Sequence, residues 1–214
     1  MATATRPAFD SLYNVALAHT GYFTTAQAAS TGYSPQALHK HVLAGRIIRV
    51  RHGIYRLVHF PAGDQEQLAV LDLWVCGQGT FSHETALAAH GLSDVMPETL
   101  HMTLPPPWRH RRLRVPAGLC LHFADVSADD KAWLGVVQIT RVARTLMDCV
   151  NSGVRPDLVR SAYEQAKQRG LLNQQELVAV ARAVRRPDRV CAVSPGGTLG
   201  YSPRQTRTMR PVAT

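Results

Sequence analysis

Residues 34–57 constrain the fold more than any other stretch of this chain. Ser34 offers a hydroxyl cap, Pro35 takes the first helical position, where its missing N–H costs nothing, and Gly45 stops the helix after Ala44. Directly behind it, residues 47–50 (IIRV) and 54–57 (IYRL) are β-branched and aromatic runs separated by Arg51, His52 and Gly53. That is the pattern of a hairpin with glycine at its tight bend. Upstream, Phe9, Leu12, Tyr13 and Leu17 recur at helical spacing and predict an amphipathic helix with that stripe inward, ended by Gly21. Thr24 can cap a short alanine-rich helix over residues 25–29, followed by a turn at Thr31, Gly32 and Tyr33. Three helices and a hairpin in this order read as a winged helix-turn-helix over residues 1–60.

The charge pattern supports a polyanion partner for this segment. The 214 residues carry a formal charge of +9, but residues 1–60 hold six basic groups against the single acid Asp10. Residues 61–130 invert the balance, with nine acids against four arginines that sit together. Clustered rather than averaged charge is what counterion release rewards. A 45% apolar fraction is enough to bury a real core. No run approaches the roughly 20 apolar residues of a membrane span, and the N-terminus lacks the pattern of a leader, so a cytoplasmic protein is expected. Cys76, Cys120, Cys149 and Cys191 have neither disulfide-scaffold nor zinc-ligand spacing and read as reduced thiols, mostly packing.

A second domain is expected over residues 61–186, after a junction at Phe60, Pro61, Ala62 and Gly63. Asp64 is read as the cap of a helix over about residues 65–76, with Leu68, Leu71 and Val75 on one stripe, and Ser82 as the start of a helix over 82–90. Alternation with period two predicts three strands, over 100–104, 119–123 and 136–139. The period then returns to helical over 142–150, 156–169 and 173–185. The fold class is therefore α+β, a winged helix-turn-helix followed by a mixed α/β domain. Residues 187–214 show no period and are read as a disordered basic tail.

On the helix after Pro35, Leu38, Val42 and Ala37 should face inward, leaving Gln36, His39 and Lys40 outward, with Leu43 alongside. The N-terminal half of such a helix enters the major groove: Gln36 can pair with adenine, Lys40 can reach guanine or phosphate, and Ser34 can hold a phosphate. Arg46, Arg49, Arg51, His52 and Arg56 form the basic wing. A second candidate surface is the run after three prolines, with Trp108, Arg109, Arg111, Arg112 and Arg114; it reads equally well as a solvated loop.

No catalytic set, metal site or cofactor is expected. His83 and Glu84 do not make His-Glu-x-x-His, because Leu87 stands where the second histidine belongs. His83 reads as a residue beside a helix cap and His90 as a helix-end residue near the dipole's negative pole. Asp148 with Arg141 and Arg144 reads as a helix-anchoring ion set, and Glu164 with Lys167 has the wrong spacing for a nuclease.

The strings GYFTTAQAA (21–29), GYS (32–34) and GRIIRVRHGIYRL (45–57), with Leu38 and Val42, resemble the N-terminal domain of the AbiEi family of abortive-infection antitoxins. SHETALAAHGLS (82–93), HMTLP (101–105) and TRVARTLMD (140–148) are similar to the second domain of the same family, so the resemblance covers about residues 8–185. It implies an antitoxin and transcriptional autorepressor that binds an inverted repeat in its own promoter, which two copies could share. The implied functional partner is a nucleotidyltransferase-like toxin, opposed without need of direct contact. The alternatives are a protein-interaction module and a stand-alone transcriptional regulator.

Overall fold

The computed structural model describes residues 9–92 and 97–185. The N-terminal part is a winged helix-turn-helix: α1 (Phe9–Leu17), β1 (Tyr22–Thr24), α2 (Thr25–Ser30), α3 (Pro35–Leu43), β2 (Ile47–Arg51) and β3 (Ile54–Leu57). The three strands form an antiparallel sheet in the order β1-β3-β2. The caps read from the sequence for α2 and α3 are made. Thr24 and Gln27 form a reciprocal capping box, and Ser34 Oγ accepts from the Ala37 amide at 3.1 Å.

Two features differ from the sequence reading. Phe9, Tyr13 and Leu17 are exposed, and α1 instead buries Leu12 and Ala16 against Phe23, Ala28 and Leu38. The small Ala16 lets α1 approach more closely than the bulkier stripe would. The short strand β1 was not expected; its three residues are too few to show a period. The turn before it needs Gly21, at φ +89, since a Cβ there would stand 2.5 Å from the Phe60 ring that closes over α1.

The second part comprises α4 (Glu66–Trp74), β4 (Thr80–Phe81), α5 (His83–Ala89), β5 (Leu100–Leu104), β6 (Leu119–Phe123), β7 (Lys131–Leu134), β8 (Val137–Thr140), α6 (Val142–Asn151), α7 (Pro156–Gln168) and α8 (Gln174–Arg185). Its five strands form a mixed sheet in the order β6-β5-β4-β8-β7, where three were expected. The two additional strands are the two-residue centre, β4, and the edge strand β7, whose Trp133 is exposed. Neither carries a long alternating pattern.

Leu71, Val75, Phe81, Met102 and Trp108 pack on one another between α4 and the sheet, while α5, α6, α7 and α8 enclose a separate apolar cluster around Leu87, Leu146 and Ala162. Asp64 does not cap α4; Gln65 stands at the cap position and makes no side-chain cap hydrogen bond. Ser82 does not cap α5 either; its hydroxyl turns to Thr103 and His83. Asn173 and Glu176 do cap α8 reciprocally, at 2.8 and 2.9 Å. Among the described residues no helix is long and apolar enough to cross a membrane. The tail expected over 187–214 lies outside the described residues.

Helix α4 is apolar on both sides. Leu71 and Val75 join the five-stranded sheet's core, and Ala69, Val70 and Leu73 pack on Tyr22 and Ile54 of the winged helix. The same helix buries Asp72, and burial pushes that carboxyl up to about 6. A raised folded-state value means that the native protein holds a proton the unfolded chain releases. Stability from this group is thus present below pH 4 and lost as pH rises through about 6. Asp72→Asn should therefore raise the melting temperature relative to the parent at pH 7.5 and bring little or no gain at pH 4. Paired thermal melts at the two pH values check this.

Candidate nucleic-acid interface

Leu38, only 1% exposed, anchors α3 in the core, with Ala37 and Val42 packed beside it. Helical geometry then turns Gln36, His39 and Lys40 to solvent, where all three are exposed, together with Leu43. Helix α3 lies against β2, so this face and the wing form one region. β2 is an edge strand: Ile47 is buried, whereas Ile48, Arg49, Val50 and Arg51 are all exposed. An irregularity in the β2–β3 register falls between Arg49 and Arg51. Such bulges increase twist and re-aim side chains.

The Arg49 guanidinium donates to His52 Nδ1 at 2.9 Å, which leaves the other ring nitrogen of a neutral His52 as a donor. The wing is tied back to the helices through the Thr25 amide, which donates to the Gly53 carbonyl at 2.9 Å. Arg46, Arg49, Arg51 and His52 are thus exposed beside α3. Among residues 9–60 the one acid is Asp10, on α1.

Arg56 departs from the set. Its guanidinium donates to Glu66 at 2.9 Å and to the Phe60 carbonyl at 3.0 Å, and it stacks over the Tyr22 ring at 5.6 Å. The Tyr22 hydroxyl donates to the same carboxylate at 2.8 Å. That hydrogen bond, with Arg56, holds Glu66 below the ordinary carboxylate range, while burial and Glu66 raise the Tyr22 phenol. Arg56 is therefore a tie between the winged helix and α4 rather than a free phosphate ligand. The sequence shows the basic residue but not the acid ten positions on that claims it.

The second arginine cluster lies at the β5–β6 crossover, on the other sheet. Trp108 is buried in a 3₁₀ turn, Arg111 covers its ring at 4.1 Å, and Arg109 stands over Phe123 at 5.7 Å. Two of the four arginines are thus occupied with aromatic faces. Arg112 and Arg114 are exposed.

Three histidines that the sequence keeps apart meet on the second domain. His83 begins α5, His101 lies on β5 and His122 on β6, and one ring nitrogen from each falls within 4.8 Å of the others. Burial, with the neighbouring imidazoles, lowers His83 to about 3 and His122 to about 4; burial lowers His101 as well, against the opposing pull of Glu84. Sequence reasoning tested fixed short spacings and so missed a cluster assembled by strand pairing. His90 also differs from its expected role. Its ring Nε2 stands 2.7 Å from the Thr140 carbonyl, to which it donates, and burial lowers its pKa, so it acts as a neutral donor. Arg144 pairs with Asp148 at 2.9 Å and Asp130 at 3.3 Å, whereas Arg141 turns to the Asp129 carbonyl instead of Asp148.

These placements separate two kinds of arginine. Arg56→Ala should cost about 1.5–3 kcal/mol of stability, as expected for hydrogen bonds to a charged group. Arg51→Ala, at an exposed position, should leave stability within about 0.5 kcal/mol of the parent. Urea unfolding of both variants measures the difference.

Residues 10–58 match the model of a family described as "Transcriptional regulator, AbiEi antitoxin". No curated protein matches the chain. Among solved structures, the chain is similar to the RV2827C protein from Mycobacterium tuberculosis, at 13% identity and a TM-score of 0.52, over 86% of this chain and 76% of that one. At that identity the likeness is one of fold.

Proposed function

Since residues 10–58 match the model of the AbiEi antitoxin family of transcriptional regulators, we propose that this chain is an operator-binding autorepressor and the antitoxin of a nucleotidyltransferase-like toxin. The carrying observation is the outer face of α3: Gln36, His39 and Lys40 stand exposed next to Arg46, Arg49 and Arg51, in a segment whose single acid lies on another helix. Helix α3 enters the major groove of an inverted repeat, Gln36 reads a base edge, and Ser34, Lys40 and the wing with His52 hold phosphates. Arg112 and Arg114 extend the basic surface of the second domain; Arg109 and Arg111 take part only through the edges left free by their aromatic partners. Residues 1–60 supply DNA recognition and residues 61–186 the antitoxin task, which needs no catalytic group. Two copies share the repeat.

A second reading rests on Leu43, 75% exposed, with Ile48 and Val50 also exposed near the same surface. A winged helix that docks another protein would bury these residues. Salt separates the two readings. With Lys40, Arg46, Arg49 and Arg51 neutralising about four phosphates, log affinity should fall against log salt with a slope of about −3.6. That is a loss of roughly a hundredfold between 50 and 200 mM. Fluorescence anisotropy on a promoter duplex reads this, and a flat response would favour the docking surface. Gln36→Ala should cost on the order of 1–3 kcal/mol at one base position, and Arg51→Ala should weaken all sequences alike. In cells, the full chain should rescue growth from the neighbouring toxin while residues 1–60 repress without rescuing; rescue by residues 1–60 alone would refute the division of labour.

A further inference from the structure

We propose that His83, His101 and His122 form a zinc site between the start of α5 and the β5–β6 edge of the five-stranded sheet. Strand register assembles it. β5 and β6 pair in parallel with His101 opposite Cys120 and Thr103 opposite His122, so these four side chains share one face of the sheet. α5 begins directly over that face, and its first residue, His83, is held at φ +53, a left-handed conformation unusual for a residue other than glycine. Backbone strain of this kind gathers at functional positions.

The hydrogen bonds around the cluster leave lone pairs pointing inward. His101 Nε2 lies 3.4 Å from Glu84 Oε2, a charge contact that favours the proton on Nε2 and leaves Nδ1 as the lone pair. That nitrogen stands 3.0 Å from His122 Nε2. His83 Nδ1 is 2.8 Å from Ser82 Oγ, itself 2.7 Å from Thr103 Oγ1, so a donated Nδ1 proton leaves His83 Nε2 free. A carboxylate on one ligand's outer nitrogen and a fixed hydroxyl on another's is the supporting shell that metal-binding histidines use. Two nitrogens on a tetrahedral zinc lie about 3.3 Å apart, and a nitrogen and a sulfur about 3.6 Å. Cys120 Sγ is 3.7 Å from His122 Nε2. Imidazole donors with an adjacent thiol suit zinc and exclude magnesium or calcium, which take oxygen.

His83 and His122 stack at 3.6 Å with a 16° angle between their planes, so a metal in the plane of both requires one ring to turn about its Cβ–Cγ bond. His122, half-buried on the edge strand β6, is the one placed to turn. In the metal-free state a proton on His122 Nε2 bridges to His101 Nδ1; on zinc binding His122 Nε2 loses that proton to water and His122 Nδ1 takes one up, so the ring stays neutral with its Nε2 lone pair on the metal.

The test uses the full chain, stripped with chelator and titrated with zinc against a chromophoric competitor. One zinc per chain should bind with a submicromolar Kd and raise the melting temperature. Glu84→Gln should weaken binding by about 10–100-fold. His101→Gln and His122→Gln should weaken it further, and His59→Gln, exposed and not part of the cluster, should change nothing. Cobalt in place of zinc should give tetrahedral ligand-field bands in the parent that vanish in His122→Gln, with far-UV circular dichroism confirming that the variants are folded. Absence of stoichiometric zinc in the parent chain, which needs no variant to fold, would overturn the site. So would an affinity unchanged in His122→Gln.

Discussion

The architecture depends on α4 having no purely solvent-facing side. Nine residues long, it gives Leu71, with Val75 just after its end, to the five-stranded sheet and Ala69, Val70 and Leu73 to Tyr22 and Ile54 of the winged helix. At about 25 cal/mol per Å² of apolar surface removed from water, a helix buried on both faces ties its two neighbours together more firmly than a linker could. The Arg56–Glu66–Tyr22 group lies at the start of the same helix and fixes its approach by direction-dependent contacts, which apolar packing alone does not provide. The cost is Asp72, a carboxyl kept on a helix that burial leaves little water to solvate.

This arrangement bears on how the winged helix presents itself. Its core is small, closed by Leu12, Phe23, Leu38 and Ile47, and its exposed edge strand β2 is kept from pairing with other sheets by Arg49, Arg51 and the register irregularity between them. The arginines that make the wing basic thus also protect an unpaired strand. Arg56, one strand inward, has the same chemistry and a different use because Glu66 reaches it.

The second part keeps its polar groups in a connected patch. Ser82, His83 and Thr103 are linked by contacts of 2.7–2.8 Å and Glu84, His101 and His122 by contacts of 3.0–3.4 Å, and the two sets meet where the His83 ring stacks on His122 at 3.6 Å. A fully apolar interior would pack there at lower cost, since each buried polar group needs a partner. The meeting of three imidazoles at that junction is what a zinc ion would use, and it lies in a part of the chain distinct from the exposed face of α3.

Local signals determined much by themselves. The caps at Thr24 and Ser34, Pro35 at the first helical turn, and the glycine-bounded hairpin specify α2, α3 and the wing, because each is a short-range backbone hydrogen-bond or φ/ψ preference that needs no distant partner. The outward setting of Gln36, His39 and Lys40 follows from helical geometry once Leu38 is inward. Tertiary contact decided the rest. The buried face of α1 is set by how closely Ala16 lets it approach, β4 is a strand only because β5 and β8 flank it, and Arg56 leaves the wing because Glu66 arrives from α4. His83, His101 and His122 become neighbours only through the parallel register of β5 and β6 under α5. Periodicity and capping act within a few residues, whereas charge pairing and side-chain clusters depend on which distant segments the packing of α4 and the sheet brings together.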